Sequence, residues 1–144
     1  MYRNYFIQLG LSAVAMYVAM YAMIASLAHY TFNLNMIFMT LLMVAPMAII
    51  MLLFMRDMYK DKRMNAGIVG VSVLAVAFSF FGIRTQTPID DTELMRAMIP
   101  HHSGAILMCG QAKLSDAEVT ELCRGIIESQ EREIAQMQAW LAKH

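Results

Sequence analysis

An all-α fold is what this sequence predicts: three transmembrane helices followed by an antiparallel two-helix hairpin, which pairs into a four-helix bundle on dimerisation. Three observations carry that expectation. Charged residues are absent between Arg3 and Arg56 and again between Arg63 and Arg84 of the 144-residue chain. Helix-start signals punctuate the polar remainder, and the apolar residues there recur at steps of three and four. The two tail helices are joined by so short a turn that they form an antiparallel hairpin.

A hydrocarbon core of about 30 Å needs roughly 20 apolar residues at about 1.5 Å each. The first charge-free gap holds two such spans, divided by "HYTFNLN", and the second holds one. The spans are expected near residues 5–29, 36–55 and 65–83, so that residues 1–84 form a membrane domain and 85–144 a hairpin domain. Tyr2, Tyr5, Tyr30 and Tyr59 fall near the expected ends, where amphipathic rings favour the interface. Three buried core helices of a soluble protein are the alternative, but the polar remainder is too short to cover them. The apolar run after Arg3 is long and follows a single charge, which reads as an uncleaved anchor rather than a signal peptide.

Orientation follows from Lys and Arg. Arg3, Arg56, Lys60, Lys62 and Arg63 share one side of a three-span protein, while only Arg84 stands close to the membrane on the other. The positive-inside rule therefore puts the N-terminus in the cytoplasm and the C-terminal tail outside it, in the periplasm if the membrane is a bacterial inner membrane.

Residues 84–144 hold 15 of the 22 charged residues, nine acidic and six basic, and are built for water. Asp90 and Glu93 are spaced as a capping box, and so are Ser115 and Glu118. Helices are expected from about Thr92 to Leu114 and from about Asp116 to Ala142. Met95, Met98, His102, Ala105, Cys109 and Ala112 step by three and four, as do Cys123, Ile127, Gln130, Ile134, Met137 and Leu141. These are seam spacings. A turn near Ser115 then sets Met95 against Met137, Met98 against Ile134, His102 against Gln130, and Cys109 against Cys123. A flanking stripe carries Leu94, His101 and Met108, matched by Val119, Ile126, Glu133 and Trp140 on the second helix. One hairpin buries only the seam, and domains of about 60 residues are already marginal. The flank therefore predicts a homodimer or higher homo-oligomer.

The tail's Met, His and Cys residues are the ones that bind soft metals. Thioether and imidazole together suit Cu(I), with Ag(I) as a mimic, whereas Mg, Ca and Mn prefer oxygen. A thioether has no proton to lose and so stays competent in acid. His101 and His102 point about 100° apart around a helix, so two separate or bridged sites follow more naturally than one pinched ion. Gln130 and Glu133 are placed to hydrogen-bond the imidazoles from the opposite helix. Pro100 removes the donor that Arg96's carbonyl would otherwise receive. Plain core packing accounts for any one of these methionines; several aligned with a histidine weigh against it. Cys109 and Cys123 have three readings: a disulfide, extra soft ligands, or small buried residues.

Met, at 16 residues, outnumbers Leu. Met36, Met39, Met43, Met47, Met51 and Met55 step along the whole second span in a band of roughly 160°. A metal path through the membrane is one reading of that band, and adaptable apolar packing is the other.

"MRAMIPHHSGAILM" followed by "IIESQEREIAQMQAWL" resembles the domain-of-unknown-function family 305, whose pattern is M-x-x-H-H-x-x-A-x-x-M and then Q-x-x-E-I-x-x-M-x-x-W. The likeness covers about Asp90 to Leu141. It implies a ferritin-like four-helix bundle and a periplasmic copper-binding protein of the kind implicated in copper resistance. It also implies Met98, His101, His102, Met108 and Met137 as ligands, joined by Met95, and marks Gln130 and Glu133 as motif positions. The chain departs from the family in its membrane spans, its cysteines and its single hairpin, so a site built from two hairpins would have to form between chains.

The sequence thus points to a membrane-anchored Cu(I)- or Ag(I)-binding protein that sequesters or delivers metal, with metal ion, lipid and its own copies as expected partners and no nucleic acid. An enzyme is not expected: no nucleophile triad, Walker loop or Rossmann glycine pattern occurs. The rivals are a copper channel using the second-span methionines and a non-metal sensory or interaction module.

Overall fold

The computed structural model describes residues 2–144, and it is all-α. The helices are α1 (Tyr2–Met20), α2 (Leu34–Phe54), α3 (Lys62–Thr85), α4 (Asp91–Gln111) and α5 (Ala117–Leu141), with short 3-10 turns at Tyr21–Met23 and Leu27–His29. Three of them are long and apolar enough to cross a membrane, the first when extended through the turn to Met23.

Each boundary has a local cause. Asp61 opens α3 by accepting the Arg63 and Met64 N–H groups at 2.9 and 3.0 Å. Gln86 ends it in the left-handed region at φ 54°, and its side-chain amide donates to the Ile83 carbonyl at 2.7 Å. Asp90 caps α4 through Glu93 N–H at 2.8 Å. The expected box is only half made there, because the Glu93 carboxylate instead accepts Leu34 N–H and pairs with Arg96. At α5 the cap is Asp116, not Ser115: its carboxylate accepts Val119 N–H at 3.0 Å, so the helix starts one residue later than the Ser115 box implies.

The chain forms two compact units. The first joins α1 up to Ala19 with residues 35–88. Its best-buried cluster is Tyr5, Ala48, Leu52, Tyr59 and Ile68. The Tyr5 hydroxyl donates to the Ala48 carbonyl at 2.6 Å, which satisfies a polar group in an apolar setting. Gly82 leaves room for Phe38; a Cβ there would lie 3.0 Å from the ring.

The second unit combines the hairpin, residues 89–144, with Met20–Leu34. This segment corrects the expected first span. The α-helix stops at Met20 rather than running to residue 29, because the chain that follows folds against α4. Ser26 caps the second 3-10 turn through Ala28 N–H, and the Tyr21 hydroxyl donates to the Thr31 carbonyl at 2.6 Å. The segment then runs antiparallel to α4, pinned by Ala25 N–H to Ser103 Oγ at 2.7 Å, by the Thr31 hydroxyl to the Arg96 carbonyl, and by Leu34 N–H to Glu93 at 2.8 Å. The carbonyl that Pro100 leaves without a helical donor is thus capped by Thr31.

Candidate metal-binding hairpin

The hairpin core is centred on Ile99, Ile134 and Met137, with Met95, Met98, Ile106 and Leu141 packed around them. Ile99 is fully buried. The seam is therefore rotated slightly from the expected one, and Ile99 and Ile106 share it with the methionines. Beyond Ile106 a disulfide joins Cys109 to Cys123 across a Cα–Cα distance of 5.2 Å. That pairing has the predicted register, and the bridge removes the thiols from the ligand set while it is closed.

His102 is buried, and both its ring nitrogens are engaged. Nδ1 lies 2.9 Å from the Met98 carbonyl, and Nε2 lies 2.7 Å from Glu133 Oε2. A carbonyl can only accept, so Nδ1 carries a proton, and the contact with Glu133 requires one more proton between two atoms that would otherwise both accept. Glu133 also accepts the Ser129 hydroxyl at 2.7 Å. That hydrogen bond, and after it the one to His102, hold the Glu133 carboxyl below its ordinary range. Of the two α5 residues expected to hydrogen-bond the imidazoles, Glu133 is the one that reaches His102, about one turn beyond Gln130, which the seam register sets opposite it.

At about 100° per residue, α4 has three faces. Met95, Ile99, His102 and Ile106 turn toward α5. Pro100, Ser103 and Gly104 are buried on the side where residues 20–34 lie, and His29 Nδ1 meets Ser103 Oγ at 2.8 Å. The third face carries Leu94, Ala97, His101 and Met108. Leu94, His101 and Met108 are exposed, as are Val119 and Leu122 on the matching side of α5. Met98 sits at the edge between the first and third faces, one turn from both imidazoles, at i+3 and i+4.

The structure packs Met95 and Met98 against the cluster that contains Met137, and Met98 precedes His101 and His102 by about one helical turn, with its carbonyl on His102 Nδ1. Met108 lies nearly two turns beyond His101, so it does not join the same cluster within one chain. Among the described residues no three His, Cys, Asp or Glu side chains form a metal-holding group. The donors that gather are thioether and imidazole, a set that fits a soft monovalent ion. In α2 the methionine stripe is not uniformly turned inward: Met36, Met47, Met51 and Met55 are half-buried, whereas Met39 and Met43 are exposed. Sequence reasoning missed Ser129, which has no motif signal, and the partnership of Ser103 with residues 25 and 29, which is non-local.

Fold and site together define a class: an all-helical protein with three membrane-length apolar helices and a disulfide-closed hairpin presenting thioether and imidazole groups. The chain belongs to the family described as Domain of unknown function (DUF305), whose model matches residues 84–144. It is also 31% identical over 118 residues to the uncharacterized protein L153 of Acanthamoeba polyphaga mimivirus, a match covering 81% of this chain and 76% of that protein. An alignment of that length exceeds the tail, so the likeness takes in part of the apolar helices as well. No solved structure matches the chain.

Proposed function

We propose that the protein is a membrane-anchored Cu(I)-binding protein whose hairpin lies outside the cytoplasm and holds the ion for sequestration or delivery. The observation that carries this reading is the position of Met98, one helical turn from both His101 and His102 and flanked by Met95 and Met137. Nδ1 of His102 is committed to its own helix, so Nε2 is the nitrogen a metal would take, with Glu133 as the group it displaces. His101 is exposed and makes no hydrogen bond among the described residues. It would bind without displacing anything.

Two features support an extracytoplasmic hairpin: the Lys and Arg excess of the opposite side, and the closed disulfide, since such bridges persist in oxidising compartments. A second copy on the open face would bring its own His101 and Met108 to the site and cover the apolar flank. The reading is of a homodimer whose metal site is shared.

The test is Cu(I) titration of the full-length protein in detergent against a competing chelator. Stoichiometric binding is expected, weakened at least about tenfold by Met98→Leu and by His102→Ala, in line with the loss typical of altered metal-site residues. Absence of stoichiometric Cu(I) binding would end the proposal.

A further inference from the structure

On the reading proposed above, the thioether and imidazole donors of the hairpin hold a copper ion but supply no electron to change its charge. The hairpin holds a redox group as well, and it lies on the same two helices. Cys109 is in the last turns of α4 and Cys123 in the second turn of α5; they face each other across the seam, and both are half-buried. Cys109 tilts from the seam toward the open face, where the neighbouring Met108 is 56% exposed, whereas Cys123 sits on the seam line of α5 with Ile134 and Leu141. Both cysteines are partly exposed beside exposed neighbours, so a hydrated ion can reach the pair.

We propose that the Cys109–Cys123 pair in its dithiol form reduces incoming Cu(II), charging the hairpin's own Cu(I) sites. Each cysteine gives up one electron to one Cu(II) ion and releases its thiol proton to water. The two sulfurs join in a single S–S bond, and two Cu(I) ions result. The disulfide present in the structure is the product state. The step is stoichiometric, one discharge per dithiol, and a further round requires a thiol reductant to restore the pair. It rests on the reading that the hairpin holds Cu(I). Its advantage over a free thiol is geometric: the two sulfurs are held in bonding register by a folded hairpin, so closure is intramolecular, and well-oriented intramolecular reactions gain effective molarities on the order of 10⁵ M or more.

The experiment uses the full-length protein in detergent, reduced, freed of reductant and kept anaerobic, then given two equivalents of Cu(II). The expected result is loss of the Cu(II) electron paramagnetic resonance signal at least about tenfold faster than with glutathione at equal thiol concentration. Both protein thiols should disappear, and the chain should stay monomeric on a non-reducing gel. The disulfide form and Cys109→Ser/Cys123→Ser should leave the signal in place yet still bind Cu(I) supplied directly. Met98→Leu separates the two readings: with the cysteines intact it should reduce Cu(II) but fail to retain the product. A reduced wild-type protein no faster than glutathione, or one ending as intermolecular disulfides, overturns this inference even where direct Cu(I) binding is intact. Normal Cu(II) reduction with no retention by the wild type overturns the binding reading instead.

Discussion

Replacing Thr31 by Val tests how the 20–34 segment is held to the hairpin. Val has nearly the shape of Thr and lacks only the hydroxyl, which donates to the carbonyl of Arg96. That carbonyl has no helical donor because residue 100 is proline and carries no N–H. A neutral hydrogen bond contributes about 0.5–1.5 kcal/mol net, and water can reach this one at the surface, which places the cost near about 0.5–1 kcal/mol. In a unit of this size that corresponds to a fall of roughly 2–8 °C in Tm. The Pro100→Ala background changes the answer. There residue 100 regains its N–H, the Arg96 carbonyl acquires its helical donor, and loss of the Thr31 hydroxyl should cost almost nothing. The double-mutant cycle therefore predicts a coupling of about 0.5–1 kcal/mol between residues distant in sequence. Trp140, the only tryptophan in the chain, lies in α5 and reports unfolding of this unit by its fluorescence in urea. Equal costs for Thr31→Val in the two backgrounds would refute the assigned role of Thr31, whatever Pro100→Ala does to overall stability.

Two further outcomes are expected from the same fluorescence assay. Ile99→Ala should cost about 2–5 kcal/mol, since the side chain is fully buried at the hairpin's centre, while Met108→Ala, on the exposed face, should stay within about 0.5 kcal/mol of wild type; comparable effects at the two positions would mean the seam is misplaced. The carboxyl of Glu133 is held below its ordinary range, so its contribution is fully present above the ordinary carboxylate pKa and is lost as pH falls through the lower folded value. Glu133→Gln should accordingly be less stable than wild type at neutral pH and converge with it in strong acid; a gap that persists unchanged in acid would rule the carboxylate out as its source.

What could be read from the chain and what could not divides along the range of the interactions. The apolar helices follow from charge-free runs, and the Cys109–Cys123 pairing follows from helical period and turn position, both local properties. The end of the first span is not legible in the same way, because nothing local stops a helix at Met20; the chain leaves it to meet Ser103 and Arg96, more than 60 residues on. The unsatisfied carbonyl below Pro100 was legible from proline chemistry alone, but its donor was not, since any hydroxyl delivered by tertiary structure would serve. Gln130 and Glu133 are both legible as partners of the imidazoles, and which of them meets His102 shows the same limit at finer scale. Register set the approach of α5 to His102, and position along α5 decided which of the two residues made the bond.

The asymmetry of the hairpin bears on its chemistry. Two helices of this length cannot bury more than one seam, and each flank must be covered or left in water. Residues 20–34 cover one flank, where α4 presents Pro100, Ser103 and Gly104, small or compact residues that let a backbone approach closely. The other flank presents Leu94, His101 and Met108, side chains too large for such an approach and bearing lone pairs at two of the three positions. The faces are thus built for different occupants. A chain segment that had to be bound permanently took the small-residue side, and the donor-bearing side stayed accessible. That division is what the proposed shared site needs, because an ion must enter and leave, and a second hairpin must be able to dock, without unseating the segment that holds the first one together.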